Sequence, residues 1–287
     1  MFQVHSDFAT DVQFSSDGTK LVSCSRDKTI KIWEFGLMKE ICVLKGHSNC
    51  VNSVEFSCDS NTIVSCSDDN TIRLWDVQSQ QEIRKFEGHN REVTCVRFST
   101  DCLFIVSGSS DETIRIWDVQ SGKEITKLKK HSRSVTDVQF SSDGQTIVSS
   151  SFDKMIGIWD AKSTKRIYTL LGHSSYITKV QFSPDGLFIA SCSTDASIRI
   201  WDVQSGKQVT KLLGHTSDVL DIQYLSNGQT LVSCSTDGTI RWWDVQSKQE
   251  IQRLEGHTER VPTCLCISPD DDTIISASNN GILYLWG

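Results

Sequence analysis

Several familiar features are missing from this chain, and each absence removes a class of function. No apolar run approaches the ~18–20 residues that a membrane-spanning helix needs. The first residues, Met1-Phe2-Gln3-Val4-His5, have neither the charged start nor the apolar stretch of a signal peptide. There is no basic excess: 29 Lys and Arg stand against 36 Asp and Glu, a formal net charge of −7. That balance argues against nucleic-acid binding, which leaves a basic footprint, and against electrostatic docking on anionic lipid. No segment carries the apolar period of a helix. Eleven cysteines are present, but the count is odd and no CxxC pair occurs, so neither a disulfide framework nor a zinc site is expected. Cys264 and Cys266 share one face of a strand, yet two thiolates without a second pair do not make a metal centre. The expectation is a protein of a reducing intracellular compartment, cytoplasmic or nuclear, with no cofactor, no metal and no insertion in a membrane.

What is present is repetition. The seven histidines, His5, His47, His89, His131, His173, His215 and His257, are spaced 42 apart without exception. Trp33, Trp75, Trp117, Trp159, Trp201 and Trp243 keep the same period of 42, Trp286 falls one residue late, and Trp242 is the extra member. Two rare residue types locked to one period define seven units. Each unit reads as four short strands: an alternating stretch such as Val93–Phe98, a polar turn, a run like Ile63-Val64-Ser65-Cys66-Ser67, an Asp-centred turn, a stretch ending in Trp, and a last apolar segment. Cys24, Cys66, Cys192 and Cys234 sit between serines at a position that elsewhere holds Gly108, Ser150 or Ala277, which predicts a small buried side chain.

A period near 42 with Gly-His toward one end and Trp-Asp at the other resembles the WD-repeat β-propeller family over essentially the whole chain. Gly-His stands at Gly46-His47, Gly88-His89, Gly172-His173, Gly214-His215 and Gly256-His257, and Trp-Asp at Trp75-Asp76, Trp117-Asp118, Trp159-Asp160, Trp201-Asp202 and Trp243-Asp244. The resemblance implies an all-β fold: a seven-bladed propeller of four-stranded antiparallel blades, residues 1–287 forming one domain. It also implies, inside each blade, a hydrogen-bonded set of turn Asp, loop His, strand Ser and strand Trp. The sets are His47, Asp69 and Trp75; His89, Asp111 and Trp117; His173, Asp195 and Trp201; and His215, Asp237 and Trp243, each with a serine. Ser, His and Asp in one unit invite a catalytic reading, but an enzyme needs one such constellation beside a substrate, and here there are seven. Their residue types satisfy one another's buried polar atoms. Two serines per unit, such as Ser23 and Ser25, lie on one strand face, so spacing leaves open which takes part. Asn280 stands where the other units have Asp and is expected to weaken the seventh set.

The last blade must take its outer strand from the start of the chain, where only Met1–Val4 precede His5, so closure by a short strand, an incomplete blade or a longer natural chain are all open. Unit seven is one residue longer near Val261-Pro262-Thr263-Cys264, and a bulge is expected there because proline cannot donate to the ladder. A partner can be singled out only where the repeats differ. The loops carrying Asp-Val-Gln-Ser are monotonous, whereas the His and Asp-turn loops vary, and Phe8, Arg26, Asp68, Glu92, Phe152, Tyr176, Asp218, Leu220 and Arg260 are the candidate contacts. Asp68 and Glu92 would face a basic residue, and Phe152 and Tyr176 an apolar one. No unique polar constellation in one blade or near the channel is expected. The function that follows is a non-catalytic, monomeric scaffold binding a protein or short peptide on this rim. The alternative is a sensor or autoinhibitory propeller within a larger signalling protein.

Overall fold

A computed structural model describes residues 1–255 and 261–286. They form seven four-stranded antiparallel sheets. Blade one runs from its inner strand Ala9–Phe14 through Lys20–Ser25 and Thr29–Glu34 to its outer strand Lys39–Lys45. The inner strands of blades two to six are Val51–Phe56, Val93–Phe98, Val135–Phe140, Ile177–Phe182 and Val219–Tyr224. Blade seven is Pro262–Ile267, Ile274–Ser278, Ile282–Trp286 and, as its outer strand, Phe2–Gln3 from the other end of the chain. The chain therefore folds as a seven-bladed propeller closed by a short N-terminal strand.

The strands form where β-branched and aromatic residues alternate, and they end at turns whose side chains replace ladder bonds. In the first hairpin turn Asp17 accepts from Ser15 Oγ at 2.6 Å and from Thr19 N at 2.9 Å, and the same device recurs around Asp59, Asp101, Asp143 and Asp185. The apolar core lies between neighbouring blades. Trp75 of blade two packs among Val22, Ile30, Ile32 and Leu44 of blade one, and Trp33 closes the ring by packing with Cys264, Cys266 and Ile275 of blade seven. Trp242 belongs to the cluster between blades six and seven, with Leu265, Ile274 and Trp286.

At the closure Phe2 pairs with Leu283 and Gln3 with Ile282, and Val4 N and His5 N both donate to Gly281 O, at 2.8 and 3.1 Å. Gly281 holds a φ of +74°, and a Cβ there would stand 2.3 Å from His5 O, so only glycine permits this approach.

A register shift does occur between Pro262 and Cys264, but the same shift stands at Ala9/Asp11, Val51/Ser53 and the matching step of every other blade. Proline is thus not its cause. Pro262 pairs with Ser278 as Val219 pairs with Ser235, which puts the extra residue of the unit between His257 and Pro262. Counting three from the histidine is therefore offset in unit seven. Asn279 N donates to Val261 O as Thr236 N donates to Asp218 O, so Val261 occupies the matching loop position.

Candidate functional site

Within each blade a chain of polar groups runs from core to rim. In blade three Trp117 Nε1–H donates to Ser107 Oγ at 2.9 Å, Ser107 Oγ lies 2.8 Å from His89 Nε2, and His89 Nδ1 lies 3.0 Å from Asp111 Oδ2. Every atom is satisfied if the hydroxyl donates to Nε2 and a neutral imidazole donates from Nδ1, and that order fixes the tautomer. His47, Ser65, Asp69 and Trp75 repeat the arrangement, as do His173, Ser191, Asp195 and Trp201, and His215, Ser233, Asp237 and Trp243. The serine that takes part is thus the one four residues before the aspartate. The serine two before it, such as Ser109, accepts from Asp111 N and donates to Arg91 O. In blade seven Trp286 Nε1 donates to Ser276 Oγ at 2.8 Å and Asn280 Oδ1 accepts from Ser278 Oγ. His257, on which the expected weakening of that set turns, lies outside the described residues.

Burial and hydrogen bonding act against each other in these sets. Burial alone would raise Asp111, but the hydrogen bonds from His89 and Thr113 outweigh it and hold the carboxyl well below the usual range. Asp27, Asp69 and Asp195 are held down in the same way, and Asp237 stands at about 2. Burial lowers His89, His173 and His215 despite their carboxylate partners. The sets of His89, His173 and His215 therefore stand as ionised carboxylate and neutral imidazole at neutral pH, facing sideways within the blades.

The channel holds a constellation that the repeat pattern did not lead us to expect. Asp11, Ser53, Arg97, Asp137, Lys179 and Asp221 line one central cavity. Arg97 donates to Ser53 Oγ at 2.8 Å and lies 3.7 Å from Asp11 and 3.9 Å from Glu55, while Lys179 lies 3.9 Å from both Asp137 and Asp221. Desolvation would lower Arg97 and Lys179, but these carboxylates hold both firmly protonated. Glu55, with 27% of its side chain exposed, is pushed up to about 7 by desolvation against the pull of Arg97.

The acids have a structural task. The inner strand of each blade is a sheet edge whose amides face the channel, and unpaired edges need partners. Asp11 Oδ2 accepts from Val54 N, Glu55 from Phe98 N, Asp137 from Val180 N and Asp221 from Leu265 N, each reaching the next blade, and Gln139, Gln181 and Gln223 do the same. A second tier runs nearer the rim: Thr10, Asn52, Thr94, Thr136, Thr178 and Thr263 each donate to a carbonyl of the next blade at 2.5–2.8 Å. Leu220 takes this position in blade six and packs with the apolar cluster of blades six and seven. It lines the channel and stands apart from the other rim candidates.

At the channel mouth a cavity of about 410 Å³ is bounded by Asp68, Glu92, Ser110 and Phe152, above the ring of Thr10, Asn52, Thr94, Thr136 and Thr178. Phe152 and Tyr176, 40% and 39% exposed, pack with ring centroids 4.9 Å apart and their planes tilted by 37°, and border an adjoining cavity of about 370 Å³ with Arg133 and Lys154. Asp68 accepts from Asn52 at 2.7 Å. Phe8 and Arg26 instead pair with each other, the guanidinium 4.3 Å from the ring centroid. Asp218 borders neither cavity, and Arg260 lies outside the described residues.

Two family models match this chain. One, described as the WD domain, G-beta repeat, covers residues 1–34, 38–76 and 248–287. The other, described as the echinoderm microtubule-associated protein second beta-propeller, covers residues 60–226, more than half the chain. The chain belongs to the WD-repeat β-propeller family. No curated protein matches it.

In this WD-repeat propeller the His, Asp and Trp of each unit were visible from spacing, whereas the channel charges were not. Their signal lies at the sixth and eighth residues after each histidine, where the units read Asp11, Ser53, Cys95, Asp137, Lys179 and Asp221, then Gln13, Glu55, Arg97, Gln139, Gln181 and Gln223. These positions change while the strand around them stays constant. One blade's sequence alone does not reveal that they converge across 42-residue steps. The Arg166 guanidinium lies 4.5 Å over the Trp159 ring, where Gly157 leaves the indole uncovered by its own strand.

Proposed function

We propose that this WD-repeat propeller is a non-catalytic scaffold that binds a protein or short peptide at the mouth of its channel. The observation that carries this reading is the join of an exposed aromatic pair, Phe152 and Tyr176, to an acid-edged cavity bounded by Asp68 and Glu92. Aromatic residues in pockets dominate interface energetics. A basic side chain of the partner enters between Asp68 and Glu92, and an apolar one packs on the rings. The closed ring holds these groups before the partner arrives, which lowers the ordering cost of binding. In this reading residues 1–287 act as one domain, monomeric and within the cell.

The test is affinity capture from lysate with wild type, Phe152→Ala/Tyr176→Ala and Asp68→Lys/Glu92→Lys side by side, followed by titration of the captured partner. Loss of about 2 kcal/mol at the aromatic pair lowers affinity roughly thirtyfold. Equal recovery by all three proteins would remove the site from the rim.

A further inference from the structure

On the end of the propeller away from the His loops, the gap between neighbouring blades is filled in two places by a side chain of the preceding blade. Arg84, on the outer strand of blade two, donates to Ser121 O at 3.1 Å and Gln120 O at 3.0 Å in blade three. Tyr168, 84 residues later in the sequence and on the outer strand of blade four, donates its hydroxyl to Gln204 O of blade five at 2.9 Å. Each lies against a glycine of the receiving loop. A Cβ on Gly122 would stand 2.6 Å from Arg84 Cδ, and one on Gly206 2.9 Å from the Tyr168 ring. Where the residue at this position is short, the glycine is gone: Thr126 corresponds to Arg84 and Tyr168 with Thr164 in place of the glycine, and Thr210 corresponds to them with Lys248, these last two lining one cavity.

Between blades five and six the result is a cavity of about 490 Å³ lined by Thr210, Val209, Phe188, Tyr224, Gln246 and Lys248, among others. Gln246 is the counterpart of Gln204, whose carbonyl receives the Tyr168 hydroxyl one blade earlier. Tyr224 adds an independent observation. Blades one to five have Phe14, Phe56, Phe98, Phe140 and Phe182 at its position and blade seven has Ile267, so its hydroxyl is particular to this cavity. Tyr224 is 8% exposed, and that hydroxyl has no hydrogen-bond partner among the described residues. A buried hydroxyl left unmatched is costly, and a ligand that matches it gains accordingly.

We propose that this cavity is a binding site for a phenol, supplied either as a free phenolic compound or as the tyrosine side chain of a partner. The ring takes the place that Tyr168 fills one blade earlier, its hydroxyl donates to Gln246 O, and its oxygen accepts from Tyr224. The site is independent of the rim, and its failure leaves the reading of Phe152 and Tyr176 untouched.

The test titrates p-cresol, toluene and N-acetyltyrosine methylamide into the whole protein, followed by NMR. p-Cresol is expected to bind with a Kd on the order of 1 mM, as a ligand of this size permits, with intermolecular contacts to the Val209 and Val245 methyls. Toluene, lacking the hydroxyl, is expected to bind at least about fivefold more weakly, and Tyr224→Phe to weaken p-cresol severalfold. Thr210→Tyr/Lys248→Gly supplies the internal phenol and its glycine and is expected to abolish binding, with Thr126→Tyr/Thr164→Gly as the control that leaves it intact. Binding of the tyrosine derivative points to a peptide source, and binding of p-cresol alone to a free phenol. No saturable p-cresol binding, equal binding of toluene, or contacts to methyls elsewhere in the wild type would overturn the proposal, whether or not the filled variant folds.

Discussion

Two serines of the same strand, both fully buried, provide a sharp test of what the polar chain contributes. Ser107 Oγ serves two buried side chains, accepting from Trp117 Nε1 and bonding His89 Nε2. Ser109 Oγ, two residues on, serves only backbone atoms of the rim loops, Asp111 N and Arg91 O. Ser107→Ala therefore strands an indole N–H and an imidazole nitrogen where water does not reach. At about 1–3 kcal/mol for each of the two unsatisfied groups the cost is ~2–6 kcal/mol. Ser109→Ala removes bonds beside exposed Arg91, where solvent replaces them, and costs about 1 kcal/mol. For a chain of this size 1 kcal/mol corresponds to roughly 2 °C in Tm. The expectation is thus a fall of about 4–12 °C for Ser107→Ala against about 2 °C for Ser109→Ala. Calorimetry on both variants, with urea unfolding followed by tryptophan fluorescence to check that the slope is unchanged, measures the difference. Equal losses, or a larger one at Ser109, would refute the claim that the indole–hydroxyl–imidazole chain is what the buried oxygen sustains.

Acid should weaken the propeller in two stages. His89, His173 and His215 have folded pKa values below their unfolded 6.5, so their contribution is complete above that value and is lost as pH falls through the folded ones. The carboxylates of Asp27, Asp69, Asp111 and Asp195 follow below about pH 4, the ordinary range of an unfolded aspartate. Glu55 works in the opposite sense: raised to about 7, it favours the fold below its unfolded value and loses that contribution as pH rises through 7. Tm measured from pH 8 to 3 should fall steeply at the acid end, and the advantage of Glu55→Gln over wild type should shrink from pH 8 to 5; a Tm that rises below pH 4 contradicts the scheme. In the channel, Arg97→Met leaves Asp11 without its cation and is expected to cost about 3–5 kcal/mol, or roughly 6–10 °C by calorimetry, with an unchanged Tm as the refuting result.

The blade count was legible because tryptophan and histidine are rare and each unit needs one of each: an indole between blades and an imidazole to join hydroxyl to carboxylate. Identity of the participating serine was not, since Ser107 and Ser109 share a strand face and only depth separates them. The channel escaped for a different reason. Asp11, Arg97 and Lys179 occupy inner-strand positions that alternation marks merely as polar, and their partners are set by the rotation from one blade to the next. At the rim, Phe152 and Tyr176 come from separate loops 24 residues apart, and spacing suggested that they share a face without showing that their rings are in contact. Leu220 was read as a surface contact from its loop, whereas the constant bulge of the inner strand turns it into the channel wall.

The closure also sets an order of events during synthesis. Gln3 Nε2 donates to Asn280 O, 277 positions along the chain, and the strand it belongs to has no other place in a sheet. That strand is made before the three strands whose sheet it completes, and it pairs only when Gly281 arrives to receive it. Until that moment the nascent propeller is an open arc with two unsatisfied ends. Its exposure to pairing with a neighbouring chain lasts at least until the strands of the seventh blade have been made.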